Sequence, residues 1–172
     1  RVVKSMLSIR PPDFHKGDAG RVYLIGGSPG MTGAPCLAGR AAMRMGAGLI
    51  TVVVPKSLLP VVEAKLMEVM STGVEDGGSG HFLKACIPEL LETISRADFV
   101  VVGPGLGAYP GAAEFLAEII PRIRVPFLID ADGLNALAGQ VRVLRGAKTP
   151  CIITPHPGEM SRLTGESIEA IE

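Results

Sequence analysis

The sequence predicts an α/β fold: a mainly parallel sheet covered by helices on both faces. Three observations carry that expectation. Short, predominantly apolar runs, such as Val22–Ile25, Leu49–Val54 and Asp98–Val102, recur along the chain. Segments with helical spacing lie between them, and glycine-rich or polar turns follow them. Strands buried on both faces lose the usual polar alternation, and helical crossovers between them make neighbours parallel.

The elements follow in order. Residues 1–20 read as an extended, mildly basic lead-in. The first strand, Val22–Ile25, closes on Gly26-Gly27-Ser28-Pro29-Gly30. Ala34, Leu37, Ala38, Ala41, Ala42 and Met45 then predict a helix over 32–45, ended by Gly46 and Gly48. The β-branched run 49–54 stops at Pro55, and Ser57 is placed to cap a helix reaching about Glu68. Val69–Val74 reads as a weaker third strand, 75–80 as a polar loop, and the stretch to Arg96 as one helix. Strand 98–102 ends at Gly103-Pro104-Gly105-Leu106-Gly107, and 112–120 is helical. Strand 127–129 ends at Asp130-Ala131-Asp132-Gly133, before a short helix over 134–138. Strand 151–153 ends at Thr154-Pro155-His156-Pro157-Gly158-Glu159, and Met160–Leu163 is helical. A last helical stretch covers 168–172. Parallel sheets bind ligands outside the carboxyl ends of their strands, so these four turns are expected on one rim.

Composition narrows the function classes. The 172 residues balance 17 Lys plus Arg against 17 Asp plus Glu, so no global field favours nucleic acid or an anionic membrane. Aromatic residues are only 4%, which argues against a base-stacking platform. Hydrophobic residues at 47% support a packed core rather than disorder. Cys36, Cys86 and Cys151 are odd in number, far apart and set among apolar neighbours, the pattern of reduced buried thiols. No apolar run approaches the roughly 20 residues that span a bilayer. The start of the chain shows no long apolar signal-peptide core. A cytoplasmic setting is expected.

The turns suggest anion chemistry. Glycine lets a ligand approach the main chain, and a helix start offers free N–H groups. Turns 26–33 and 103–107 suit that role, although neither is the dinucleotide fingerprint and no P-loop is present. Asp130 and Asp132 could hold a metal-bound water or a ligand hydroxyl, and Asp132 could equally cap the next helix. Asn135 is similarly open. His156 stands between Pro155 and Pro157, which restrict its backbone and suit it to donate to an anionic or amide ligand. Glu159 could instead complement the helix dipole. His15 and Lys16 could reach phosphate or lie in a solvated lead-in. His81 is expected to be an idle loop residue. The three histidines do not cluster, so zinc is not expected, and no Gly-x-Ser-x-Gly elbow is present.

Taken in order, these blocks resemble one family. His15-Lys16-Gly17-Asp18-Ala19-Gly20-Arg21, Gly26-Gly27-Ser28 and Met31-Thr32-Gly33-Ala34-Pro35 through Arg44-Met45-Gly46-Ala47-Gly48-Leu49 are similar to the opening of the ADP-dependent NAD(P)H-hydrate dehydratases. The later blocks 103–107, 130–135 and 154–160 match in the same order. The resemblance implies a ribokinase-like three-layer α/β/α sandwich. It also implies a repair reaction on a nicotinamide coenzyme whose reduced ring has gained water. Hydroxide leaves poorly and phosphate leaves well. Phosphoryl transfer from ADP or ATP to the hydroxyl, then elimination driven by the ring nitrogen, restores the reduced coenzyme.

By the same resemblance Ala34, Gly105 and His156 contact hydrated NADH or NADPH. Asp132, Asn135 and Gly107 lie near the phosphates or a metal, with Mg2+ as the candidate ion. A homo-oligomer is expected for the full-length form. The family's catalytic aspartate stands in a Gly-x-Gly-Asp motif after these blocks, and its nucleotide segment lies there too. Neither occurs in the 172 residues, where the nearest look-alike is Gly78-Ser79-Gly80-His81. The chain is therefore expected to be one partial domain over 1–172, lacking the C-terminal part of the fold and inactive alone. A ribokinase-like small-molecule kinase and a non-catalytic nucleotide-binding module are the competing readings. Phosphorylation of a stable alcohol would favour the first, and binding of reduced dinucleotide without turnover the second.

Overall fold

The computed structural model describes residues 10–172. Residues 1–9 of the expected lead-in lie outside the described residues. Six strands run β1 (Arg21–Ile25), β2 (Leu49–Pro55), β3 (Met70–Val74), β4 (Phe99–Val102), β5 (Phe127–Ile129) and β6 (Cys151–Ile153). The helices are α1 (Gly33–Arg44), α2 (Leu59–Glu63), α3 (Ile87–Thr93), α4 (Ala112–Ile119), α5 (Asp132–Ala136), α6 (Pro157–Thr164) and α7 (Ile168–Ile171). The expected α/β architecture is present, and every strand pairing is parallel.

The strand order is β3-β2-β1-β4-β5-β6. Starting from β1, the chain first winds outward to β2 and β3. It then returns across the sheet to β4 and winds the other way to β5 and β6. Right-handed crossovers put the helices of the two halves on opposite faces. The side-chain alternation of β2 shows the result. Ile50, Val52 and Val54 face a cluster with Cys36 of α1 and Val62 of α2. Val53 faces the other core with Ile25, Val100, Val102, Phe127 and Ile129, beneath Ile87 and Leu90 of α3 and Phe115, Leu116 and Ile119 of α4. The winding reverses between β1 and β4, and the carboxyl ends at such a reversal are where sheets of this kind bind ligands.

Two expected helices are shorter than their patterns suggest. After β2 the chain makes a 3-10 turn at Lys56–Leu58 and only the five-residue α2, not a helix to Glu68. Ser57 does not cap it. Its hydroxyl donates to Asp76 Oδ2 at 2.6 Å, and its N–H points to Asp76 Oδ1 at 3.3 Å. The stretch 84–96 is α3 between two 3-10 turns, with Pro88 in the first helical turn.

Candidate functional site

The rim begins where β1 and β4 end. Gly27 N–H donates to the Pro104 carbonyl at 3.1 Å, and Gly103 N–H to the Ile25 carbonyl at 3.0 Å, so the two glycine turns are stitched together. Gly105 adopts φ +66. A Cβ there would meet the Met31 carbonyl oxygen at 2.5 Å and the Ala34 Cβ at 3.1 Å. Residues 71 positions apart thus touch at the switch point, and only a glycine fits between them. Two of the three residues expected to contact the coenzyme, Ala34 and Gly105, are neighbours.

Gly107, at φ +83, lies against Ser28: a Cβ on it would stand 2.6 Å from Ser28 Oγ. That hydroxyl is buried and has no hydrogen-bond partner among the described residues. A buried polar atom left unpaired is costly, so an orphan at a glycine turn marks a place where a ligand or water completes the bonding. Ser28 was legible only as part of the Gly-Gly-Ser turn; its burial gave no sequence signal.

The next turn joins the first two. Gly107 N–H donates to Asp132 Oδ2 at 3.1 Å, and Asn135 Nδ2 approaches Asp132 Oδ1 at 3.4 Å. Asp132 is therefore not the cap of α5. It is the first helical residue and reaches across to the β4 turn, while Ala131 occupies the cap position at φ 51 and ψ -122. A non-glycine residue in that region is strained, and such strain collects where geometry is imposed by a site. Arg162 Nε donates to Asn135 Oδ1 at 2.8 Å and brings α6 into the same network. Gly107, Ala108, Tyr109, Asp132, Asn135 and Arg162 share a cavity of about 450 Å³.

His156 sits at the N-cap of α6. Its Nδ1 accepts from the N–H groups of Gly158 at 3.1 Å and Glu159 at 3.4 Å. Glu159 Oε2 accepts in return from His156 N–H at 3.0 Å, completing a capping box in which imidazole stands where serine usually does. With Nδ1 an acceptor, the neutral ring carries its proton on Nε2. Nε2 lies 3.4 Å from Oε1 of the buried Glu159, yet the side chain is 62% exposed. The donor edge is therefore within a ligand's reach. Among the described residues no hydrogen bond joins His156 directly to Ala34 or Gly105; its link to the network runs through α6 and Arg162.

One open alternative narrows and one expectation changes. The Lys16 backbone packs by Gly48, just before β2, so the exposed His15 and Lys16 lie at the amino ends of the strands and away from this rim, as the lead-in reading has it. His81 is not idle, because its ring stacks on Tyr109 at 4.4 Å. Tyr109 in turn donates its hydroxyl to the Phe82 carbonyl at 2.7 Å, and burial pushes its phenol far above the usual range, so it remains a donor. Burial also raises the thiols of Cys36, Cys86 and Cys151, in keeping with reduced, unreactive cysteines.

A family model described as NAD(P)H-hydrate dehydratase matches residues 22–171. The chain belongs to the NAD(P)H-hydrate dehydratase family. It is 41% identical over 169 residues to the bifunctional NAD(P)H-hydrate repair enzyme of Moorella thermoacetica, covering 98% of this chain and 32% of that protein. A ribokinase-like superfamily protein from Enterococcus faecalis superposes with a TM-score of 0.77 at 27% identity, over 95% of this chain and 54% of the other. The ADP/ATP-dependent NAD(P)H-hydrate dehydratase of Bacillus subtilis, co-crystallised with ATP and Mg2+, superposes with a TM-score of 0.70 at 26% identity, over 97% and 55%. The chain of this dehydratase-family protein thus spans from a third to about half of the relatives it matches. The fold is ribokinase-like.

The rim can be tested against the groups that this family implies. The stitched glycine turns and the orphaned Ser28 hydroxyl beside them suit a phosphorylated ligand. Among the described residues no three His, Cys, Asp or Glu side chains cluster to hold a metal. Magnesium commonly takes one or two carboxylates and completes its shell with phosphates and water. Asp130 and Asp132 fit that limited part. Among the described residues no helix is long and apolar enough to cross a membrane.

Proposed function

We propose that this chain forms the coenzyme-holding part of a dehydratase that returns hydrated NADH or NADPH to the reduced form at the expense of ADP or ATP. The observation that carries the reading is the Ala34–Gly105 contact at the winding reversal, inside a family match that runs from 22 to 171. Ala34 and Gly105 bring the main chain against the coenzyme, and His156 Nε2 donates to it. The adenine nucleotide supplies the phosphoryl group that turns hydroxide into a leaving group. Asp132, oriented by Gly107 and Asn135, would offer its carboxylate to Mg2+ bound with the phosphates.

The 172 residues carry no Gly-x-Gly-Asp motif for the proton-accepting aspartate. Binding is therefore expected without turnover. The test is titration of this chain with hydrated NADPH, followed by an assay with ADP or ATP for the reappearance of reduced-nicotinamide absorbance. Saturable binding with no such signal is the expected result. Absence of binding would contradict the coenzyme site, and turnover would show that another group accepts the proton.

A further inference from the structure

Arg162 is a charged group of the rim network whose chemistry the family reading leaves unused. We propose that its guanidinium is a phosphate anchor of this cleft, held open for an anionic ligand by Asn135. The proposal rests on the dehydratase reading above for the identity of the ligand, and on the following geometry for the anchor itself.

An arginine facing a carboxylate in the same cavity would ordinarily close onto it and spend its charge. Here Asn135 stands between them. Its amide oxygen takes Arg162 Nε at 2.8 Å, and its amide nitrogen approaches Asp132 Oδ1 at 3.4 Å. The other carboxylate oxygen, Oδ2, accepts from Gly107 N–H at 3.1 Å. Asp132 is thus supplied with donors from the chain, and the asparagine spaces it from the guanidinium. Arg162 forms no salt bridge among the described residues. Among the described residues only Nε is engaged, so the two terminal nitrogens present their N–H groups without an acceptor there. A guanidinium used this way offers a planar fork that matches two oxygens of a phosphate.

The surroundings fit such a ligand. The cavity that Arg162 lines is bounded by Ala112 and Ala113 of α4 and by Tyr109, whose ring is fixed by Phe82 and His81. Gly107 belongs both to this wall and to the contact with Ser28, so the cavity adjoins the stitched glycine turns. A phosphate at Arg162 would leave the attached ring or sugar against the apolar wall.

The phosphate could belong to the coenzyme or to the adenine nucleotide, and the test separates the two. The protein and its R162Q and R162K variants are titrated with hydrated NADPH, hydrated NADH and ADP, and the thermal midpoint of each variant is recorded. Loss of a charge-assisted fork should weaken at least one ligand about tenfold or more in R162Q, with partial recovery in R162K. A loss confined to NADPH assigns the 2′-phosphate, an equal loss for both coenzymes assigns the diphosphate, and a loss for ADP alone assigns the nucleotide. R162Q binding all three ligands as tightly as the parent would overturn the anchor. So would a drop in affinity that R162K does not relieve and that follows the midpoint, since that is the behaviour of a buttress. If the parent binds ADP but no hydrated coenzyme, the dehydratase reading fails while the ADP arm still decides Arg162. Binding of none by the parent overturns both.

Discussion

At the scale of single residues, the rim reuses ordinary folding devices as binding groups. His156 is the clearest case, since one ring nitrogen caps α6 and the other faces outward. The two roles separate by substitution. Asparagine accepts N-cap hydrogen bonds well, while alanine accepts none, and loss of a cap costs about 1 kcal/mol. His156→Asn should therefore keep its denaturation midpoint near that of the parent, whereas His156→Ala should lose about that amount. Both should bind hydrated NADPH roughly tenfold more weakly, the cost of one ligand hydrogen bond. Full affinity in the asparagine variant would reduce His156 to a cap. The sequence pointed to His156 through its flanking prolines, but its capping bond was hidden because histidine is rarely the acceptor in a capping box. Ser28 and Arg162 were hidden for another reason. Burial without a partner, and an asparagine placed between opposite charges, are properties of three-dimensional contact alone.

At the scale of elements, the loop after β3 shows how local pattern was outvoted. A serine before an apolar stretch suggested a helix start at Ser57. In the fold Asp76 claims that hydroxyl, together with the N–H groups of Ser57, Gly78 and Gly80. Gly80 then lies against Pro29 of the first glycine turn, so the loop 75–80 straps the rim from the side. Burial alone would raise the Asp76 carboxyl, but these hydrogen bonds outweigh it and hold the group below the usual carboxylate range. Its folded value is lower than its unfolded one. The stabilisation is thus fully present above the ordinary carboxylate range and is lost as pH falls through the lowered folded value. Asp76→Asn should cost about 2 kcal/mol at neutral pH, since hydrogen bonds to a charged group are replaced by weaker ones. Its acid-unfolding limb should also be shallower than the parent's in urea titrations across pH. An identical pH dependence would mean that Asp76 is not the titrating strap. The strands were more legible than this loop. Both 127–129 and 151–153 were bounded correctly, because buried parallel strands are apolar throughout and polar residues follow at once.

For the whole molecule, the sequence suggested one rim of glycine turns but not which turns would meet. Strand order decides that. Reversal of the winding between β1 and β4 places the turns 26–33 and 103–107 side by side. It sets 130–135 and 154–159 outward along the same edge. Order could not be read from periodicity, because parallel strands carry no mark of their neighbours. The ordered blocks and the resemblance they supported supplied the ligand class instead. The rim is not the molecule's only hollow. A cavity of about 440 Å³ lies elsewhere, lined by Leu91, Ile94, Ser95 and the segment 122–125. Size alone would not choose the rim, since two further hollows of about 560 Å³ are larger; the orphaned hydroxyl, strained Ala131 and the hydrogen-bond network favour the rim.

Backbone hydrogen exchange with and without hydrated NADPH tests that choice most directly. Protection is expected in 26–35, 103–109, 130–135 and 154–159, with 91–95 and 122–125 unchanged. Protection concentrated at 91–95 and 122–125 would place the ligand in the other cavity and contradict the central claim.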